Sequence, residues 1–232
     1  MKYNREYMTT VHAKKKKDLI TAITSKLNKA CYAISLLKLF LTMNTLRMNY
    51  FSYAHSLLSY GIIFWGNSHT HHKNSIFKIQ KRIITNSGSR DTCRQLFKHL
   101  QILSLPSQYI FSLLVFVIKN RDFFQSNSEI HNLNTRYNRN LHLPPTNLTS
   151  VQKAVLFSGS KIYNHLPSNI KALSNDAKRF KSTFKIYHIE HSFYSLDEFY
   201  QSASWLLQLS FCYATATQLL PNVCYLLYLL FT

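Results

Sequence analysis

Glycine and proline break regular backbone, and this chain carries only four of the first and five of the second in 232 positions. With so little punctuation, long helices are the expected outcome. The apolar spacing agrees. Ile20, Ile23, Leu27, Cys31, Ile34 and Leu41 recur mostly at three- and four-residue steps, which gathers them on one helical face and turns Lys26 and Lys29 largely away. Hydrophobic residues make up 46% and aromatics 14%, enough to build a core and too much for wholesale disorder. The expected fold class is mainly α: a helical bundle with a long central loop, a disordered basic N-terminus and an apolar C-terminal tail. The expected domains are a basic head at 1–17, a helical region at 18–200 and a tail at 201–232.

Within the helical region a second helix is expected from Asn44 to about Tyr60. Gly61 and Gly66 bracket Ile62–Trp65, core material in which Trp65 acts as a packing anchor. Ser75–Thr85 is amphipathic. Ile76, Ile79 and Ile83 line one side, and Lys78, Lys81 and Arg82 face the other. A row of cations on a docked helix can follow repeating phosphates without reading bases. Asp91 is placed to cap a short helix through about Leu100 that carries Arg94 and Lys98. Pro106 suits the first turn of the next helix. Tyr109–Ile118 is apolar on nearly every side; at about ten residues it falls short of the roughly twenty that cross a bilayer, and reads as a buried central helix.

Residues 120–149 turn to Asn, Ser, Arg and His, and Pro144-Pro145 stiffens them into extended chain. This loop is expected to divide lobes at 18–121 and 150–200, and its Arg136 and Arg139 offer hydrogen bonds to phosphates or bases. A helix resumes from Ser150 to His165 with Val151, Val155, Ile162 and Leu166 on its apolar side and Gly159 as a packing contact; Pro167 ends it. A basic helix follows, setting Lys178, Arg179, Lys181 and Lys185 against Phe180, Phe184 and Ile186. Ser195 and Glu198 have the spacing of a helix capping box.

Charge narrows the function. Lys and Arg number 28 against 9 Asp and Glu, a net charge of +19, and all 28 lie before Ile186. A field of that sign draws polyanions, nucleic acid first and an anionic membrane surface second. The Lys14–Lys17 run reads as a nuclear-import or phosphate-contacting patch, or as a solvated lead-in to the helix. The last 34 residues, Phe199–Thr232, carry no charge. Trp205–Phe231 is long enough for a membrane segment but is interrupted by Gln208, Gln218 and Pro221-Asn222, so a poorly specified tail and packed helices stand beside that reading.

Enzymatic motifs are missing. There is no P-loop and no nucleophile elbow. The adjacent acids Asp197-Glu198 open a helix, where negative charge favours the dipole. Cys31, Cys93, Cys212 and Cys224 are scattered, as buried thiols of a reducing compartment would be. His69, His71 and His72 fall in one short loop, and His188 and His191 stand three apart; both groups read as polar surface histidines rather than metal ligands. No catalytic residue, metal or cofactor is expected. With no signal-peptide pattern at the start, the expected location is intracellular, nuclear or cytoplasmic.

Five phrases in order carry a resemblance: LSYGIIFWG (Leu58–Gly66), QKRIITN (Gln80–Asn86), LNTRYNRNLHLP (Leu133–Pro144), KIYNHLP (Lys161–Pro167) and HSFYSLDEFY (His191–Tyr200), with CRQLFKHLQILSLPSQYIF (Cys93–Phe111) between the second and third. Together they resemble the region downstream of the catalytic palm in reverse transcriptases of jockey-like non-LTR retrotransposons, over roughly residues 24–200. The resemblance implies a thumb-like helical region that holds template RNA or an RNA–DNA hybrid by its backbone. It also implies a polymerase palm as the natural packing partner. That palm carries metal-binding aspartates in an F-A-D-D-type box, and nothing in this chain matches the box. The reading is therefore a non-catalytic remnant of an RNA-directed DNA polymerase. The candidate nucleic-acid contacts are Lys78, Lys81, Arg82, Arg94, Lys98, Arg136 and Arg139. The alternative is a small basic membrane-attached protein anchored through 205–231.

Overall fold

No glycine or proline precedes Gly61, so nothing in the sequence stops the first helix early. A computed structural model of the chain describes residues 2–37, 40, 42–68, 70–85, 92–131 and 140–202, the side chains of 2–13, 70, 131 and 168 excepted. In it α1 runs unbroken over Lys2–Leu37, and its helical backbone takes in the stretch set apart as a basic head. The expected face is the buried one: Ile20, Ile23, Leu27, Cys31 and Ile34 are in the core together with Ala30, while Lys26 and Lys29 are exposed.

The second expected helix is interrupted by a wider turn. Thr42 caps α2 (Met43–Asn49), Tyr50–Ala54 forms a π turn, and α3 (His55–Ser59) continues. Such a turn shifts the helical register, and here it lies where the buried Tyr50 hydroxyl accepts from Gln80 Nε2 at 2.8 Å. Gln80 Nε2 also donates to the Leu103 carbonyl at 2.9 Å, tying three segments through one amide. Gly61 then takes φ +59°, a conformation that costs glycine little. It opens α4 (Ile62–Trp65), whose Trp65 indole is fully buried and donates to the Tyr60 carbonyl at 2.8 Å, the packing anchor expected. At Gly66 an added β-carbon would lie 2.2 Å from the Tyr109 ring, so only glycine allows this approach.

Two helices, α5 (Thr70–Ile84) and α6 (Arg94–His99), precede the centre of the fold. The helix α6 ends with Gln101 at φ 52°, and the Ile102 amide reaches back to the Phe97 carbonyl at 2.9 Å, which turns the chain toward α7. Ser104 caps α7 (Leu105–Lys119), and Pro106 sits in its first turn as expected. Tyr109, Ile110, Leu113, Leu114 and Val117 are buried, and α7 packs against α3, α4 and α5 as well as against later helices.

The described parts of the central loop are fastened down. A 3₁₀ turn at Arg121–Phe123 leads to α8 (Asn127–His131), where Ser126 and Glu129 form a capping box: the Ser126 amide donates to Glu129 Oε2 at 2.9 Å and the Glu129 amide to Ser126 Oγ at 3.4 Å. Farther on, the Asn164 side chain accepts from the Leu141 amide and donates to the Leu141 carbonyl, both at 2.7 Å, standing in for a strand partner. Arg136 and Arg139 lie outside the described residues.

The helix expected from Ser150 to His165 is two pieces, α9 (Thr149–Gln152) and α10 (Val155–Asn164), because Ala154 is extended and the Ser158 hydroxyl takes the Gln152 carbonyl at 3.0 Å. Val151 is exposed as a result, not on the apolar side. Gly159 is the packing contact expected: a β-carbon there would stand 2.8 Å from Val117 Cγ2 of α7. After α11 (Ser168–Lys171) and a 3₁₀ turn, Asp176 caps α12 (Ala177–His191) by accepting from the Lys178 and Arg179 amides. Phe180 and Phe184 are buried as expected, whereas Ile186 is 57% exposed and His188, one turn beyond Phe184, takes the core position.

The result is a helical bundle with one hydrophobic core that includes residues from Ile20 to Phe199, so the segments 18–121 and 150–200 share an interior rather than forming separate lobes. Among the described residues no helix is long and apolar enough to cross a membrane. The segment 205–231 lies outside them.

Candidate nucleic-acid interface

On α5 the buried positions are Ile76, Ile79, Gln80, Lys81, Ile83 and Ile84, which at 3.6 residues per turn cover more than half the circumference. The exposed stripe is what remains: His71, Asn74, Lys78 and Arg82, at steps of three and four. Lys78 and Arg82 thus stand one turn apart and face solvent, as the sequence predicts.

Lys81 does not. It is 9% exposed, with its Nζ 5.6 Å from the centroid of Phe77 and 5.9 Å from that of Tyr194. The cause is position on the helix. Lys81 lies three residues from Lys78 but four from Phe77, and the Phe77 side is where Tyr194 covers α5. Burying the aliphatic stem while the ammonium rests over ring faces is a favourable use of lysine. Its cation is not presented to a ligand.

Arg94 is occupied more completely. Its Nη2 donates to Glu198 Oε1 at 2.5 Å, its Nη1 to the His191 and Ser192 carbonyls at 3.4 and 3.3 Å, and its guanidinium carbon lies 4.4 Å from the Tyr194 centroid. These carbonyls end α12, so Arg94 satisfies acceptors that a helix terminus leaves open and complements its dipole. Glu198 is held in turn. Its amide donates to Ser195 Oγ at 3.1 Å, and its second carboxylate oxygen accepts from the Tyr194 amide at 2.6 Å. The capping residues expected from the S-x-x-E spacing are present, with the carboxylate taking the amide one residue earlier than in the usual box.

Lys98 is exposed on α6, and Lys178, Arg179 and Lys185 are exposed on α12. Of the seven candidate contacts, then, Lys78, Arg82 and Lys98 face solvent, Lys81 and Arg94 are built into the fold, and Arg136 and Arg139 lie outside the described residues.

The histidines depart from expectation. His71 and His72 belong to the first turns of α5 rather than a loop. His188 is fully buried among Phe184, Tyr187, Phe193 and Phe199, because Phe180, Phe184 and His188 follow one another at four-residue steps along the inner face of α12. Neither ring nitrogen has a hydrogen-bond partner among the described atoms. Burial, and secondarily the charge of His191, lowers its pKa from 6.5 to about 3, so the ring is neutral.

The phrases that carry the resemblance make internal contacts. Trp65 of the first and Gln80 of the second hold backbone carbonyls. Asn164 of the fourth clamps Leu141 of the third, and a ring nitrogen of His165 meets the Tyr200 carbonyl of the fifth at 2.5 Å. Several of the acids are also engaged in structure: Asp176, Glu129 and Glu198 each bind backbone amides at helix starts. Such carboxylates are poor candidates for a metal cage.

One group of cations has no signal in the sequence. Lys16 of α1 and Lys73 of α5 each have their pKa lowered, first by burial and then by the charge of Lys153 after α9. Only Lys16 belongs to a charge run; the other two are isolated and meet through the fold. Compared with protein-family models, curated proteins and solved structures, the chain matches none.

Proposed function

We propose that this protein holds RNA or an RNA–DNA hybrid by its phosphate backbone and adds no nucleotides, as a non-catalytic remnant of a jockey-like non-LTR retrotransposon polymerase. The observation that carries the reading is the sequence's net charge of +19 together with Lys78 and Arg82 in register on one helix face of a packed bundle and Lys98, Lys178, Arg179 and Lys185 also in solvent. Solvated cations at turn spacing suit phosphate oxygens and carry no base preference. Exposed apolar side chains along the first four helices, among them Tyr32, Leu36, Met48 and Phe64, are what a packing partner of the palm type would cover.

Filter binding of the purified chain to a hybrid duplex across salt tests the proposal. Each phosphate neutralised contributes about −0.9 to the slope of log K against log salt on a duplex and about −0.7 on a single strand. A slope of about −3 or steeper, alike for unrelated sequences, is expected. A flat response overturns the reading, as does template-directed DNA synthesis by the chain. Sedimentation with anionic vesicles without RNA binding would favour membrane attachment instead.

A further inference from the structure

Helix α1 packs along α5, and the seam between them opens to solvent as a groove of about 400 Å³. Its walls carry Thr21, Ser25 and Asn28 from α1 and His71, His72 and Ser75 from α5, and the buried Ile20 is its one apolar residue among those described. Helical spacing explains the grouping. Thr21, Ser25 and Asn28 recur at steps of four and three on the exposed side of α1. His71, Ser75, Lys78 and Arg82 recur at steps of four, three and four along α5. The α5 wall of the groove therefore runs on, within its own helix, into the cationic stripe. The α1 wall is flanked in the same way: Lys17 stands one turn before Thr21 and Tyr32 one turn after Asn28, both exposed.

The groove and the stripe differ in chemistry. No Lys, Arg, Asp or Glu lines the groove among the described residues. Its hydroxyls and its amide both donate and accept hydrogen bonds. Ser25, Asn28 and Ser75 make no side-chain hydrogen bond among the described residues, and Thr21 Oγ1 gives its proton to the Lys17 carbonyl at 3.0 Å while its lone pairs stay open. A phosphate only accepts, so a row of cations treats RNA and DNA alike. The ribose 2′-hydroxyl both donates and accepts, and DNA lacks it. We infer that the groove between α1 and α5 holds the ribose edge of one RNA strand whose phosphates lie along Lys78 and Arg82, so that the protein prefers RNA to DNA of the same sequence. The inference rests on the backbone-binding reading and adds a strand preference that the cations alone do not supply.

The test is fluorescence anisotropy of the full chain with labelled single strands of one sequence, about ten nucleotides long, made as RNA, as DNA and as 2′-fluoro RNA. At fixed salt RNA should bind about fivefold more tightly than DNA, the size of effect expected from one or two hydrogen bonds. The 2′-fluoro strand keeps the sugar pucker of RNA without the hydroxyl proton, and should bind like DNA. The double change Ser25→Ala with Asn28→Ala should bring RNA to within about twofold of DNA and leave DNA binding unchanged. Both positions are exposed on a helix, where alanine is well tolerated, so unfolding does not explain such a loss. Lys78→Gln with Arg82→Gln should instead weaken RNA and DNA by the same factor. Equal binding of RNA and DNA by the parent chain overturns the inference, as does 2′-fluoro RNA binding as tightly as RNA, or a preference that survives the change at Ser25 and Asn28. Repeating the titrations across salt separates the two failures. Equal and salt-dependent binding of RNA and DNA removes the groove and leaves the backbone reading standing, whereas no salt-dependent binding of either strand removes both.

Discussion

The outer stripe of α5 and the junction between α6 and α12 draw on the same residue types and use them differently. On the stripe, Lys78 and Arg82 extend into water from a helix whose opposite side is buried. At the junction, Lys81 lies over Phe77 and Tyr194, and Arg94 is held by one carboxylate, two carbonyls and a ring. His188 goes further and gives up its charge inside an aromatic cluster. A basic side chain that holds its own fold together has little left for a ligand. The difference separates charge left to solvent from charge used by the fold.

The largest expected effect belongs to the innermost group. His188 has its pKa lowered from 6.5 to about 3. Its folded form stays neutral while the unfolded chain takes up a proton below about pH 6.5. Stability from this residue is therefore complete above about 6.5 and falls as pH drops toward 3, with a loss of about 2–3 kcal/mol at pH 4.5. His188→Phe keeps the ring and removes the titration. Urea midpoints at pH 7 and 4.5 should show a smaller acid loss in the variant. Equal losses in both proteins would mean that His188 is reached by water.

Next comes Arg94. Arg94→Gln strips Glu198 of its partner and leaves the α12 carbonyls to solvent, at a cost of about 2 kcal/mol in unfolding free energy. Since the guanidinium is already occupied, the slope of binding against salt should stay within about 0.3 of the parent. A variant of normal stability with a clearly shallower slope would move Arg94 to the binding side of the comparison.

What the sequence makes legible follows the same division. The inner face of α1, the buried run of α7, Pro106 in a first turn, Gly159 against Val117 and the Ser195–Glu198 cap all depend on spacings of four residues or fewer, or on one residue's own chemistry. The Ser126–Glu129 box has the same spacing and the same legibility. The fate of Lys81 depends on Tyr194, that of Arg94 on Glu198, and that of the break after Gln152 on Ser158. No local pattern supplies those partners. An amphipathic helix announces a polar face, but another segment settles how wide that face is. Lys16, Lys73 and Lys153 are the extreme case, since no two of them share an element.

Lys81→Met tests the boundary from its own helix. Methionine keeps the apolar stem and soft contact with Phe77 and Tyr194, so the cost should stay near or below about 1 kcal/mol, and the salt slope should not change. A loss of binding at unchanged stability would show that the Lys81 cation reaches a ligand past the rings.

The smallest effect on stability, and the largest on binding, is expected at the stripe. Lys78 and Arg82 touch no core partner that a glutamine would leave unsatisfied, so the double change Lys78→Gln with Arg82→Gln should alter unfolding free energy by no more than about 0.5 kcal/mol. If each cation faces one phosphate, the pair accounts for about 1.8 of the slope on a duplex and about 1.4 on a single strand. Such a decrease, equal on unrelated sequences, separates backbone contact from base reading, because loss of a base contact would fall on one sequence more than another. Should the slope hold while stability drops, the stripe would be structural and the bound polyanion would lie elsewhere, with the exposed cations of α12 as the next face to change.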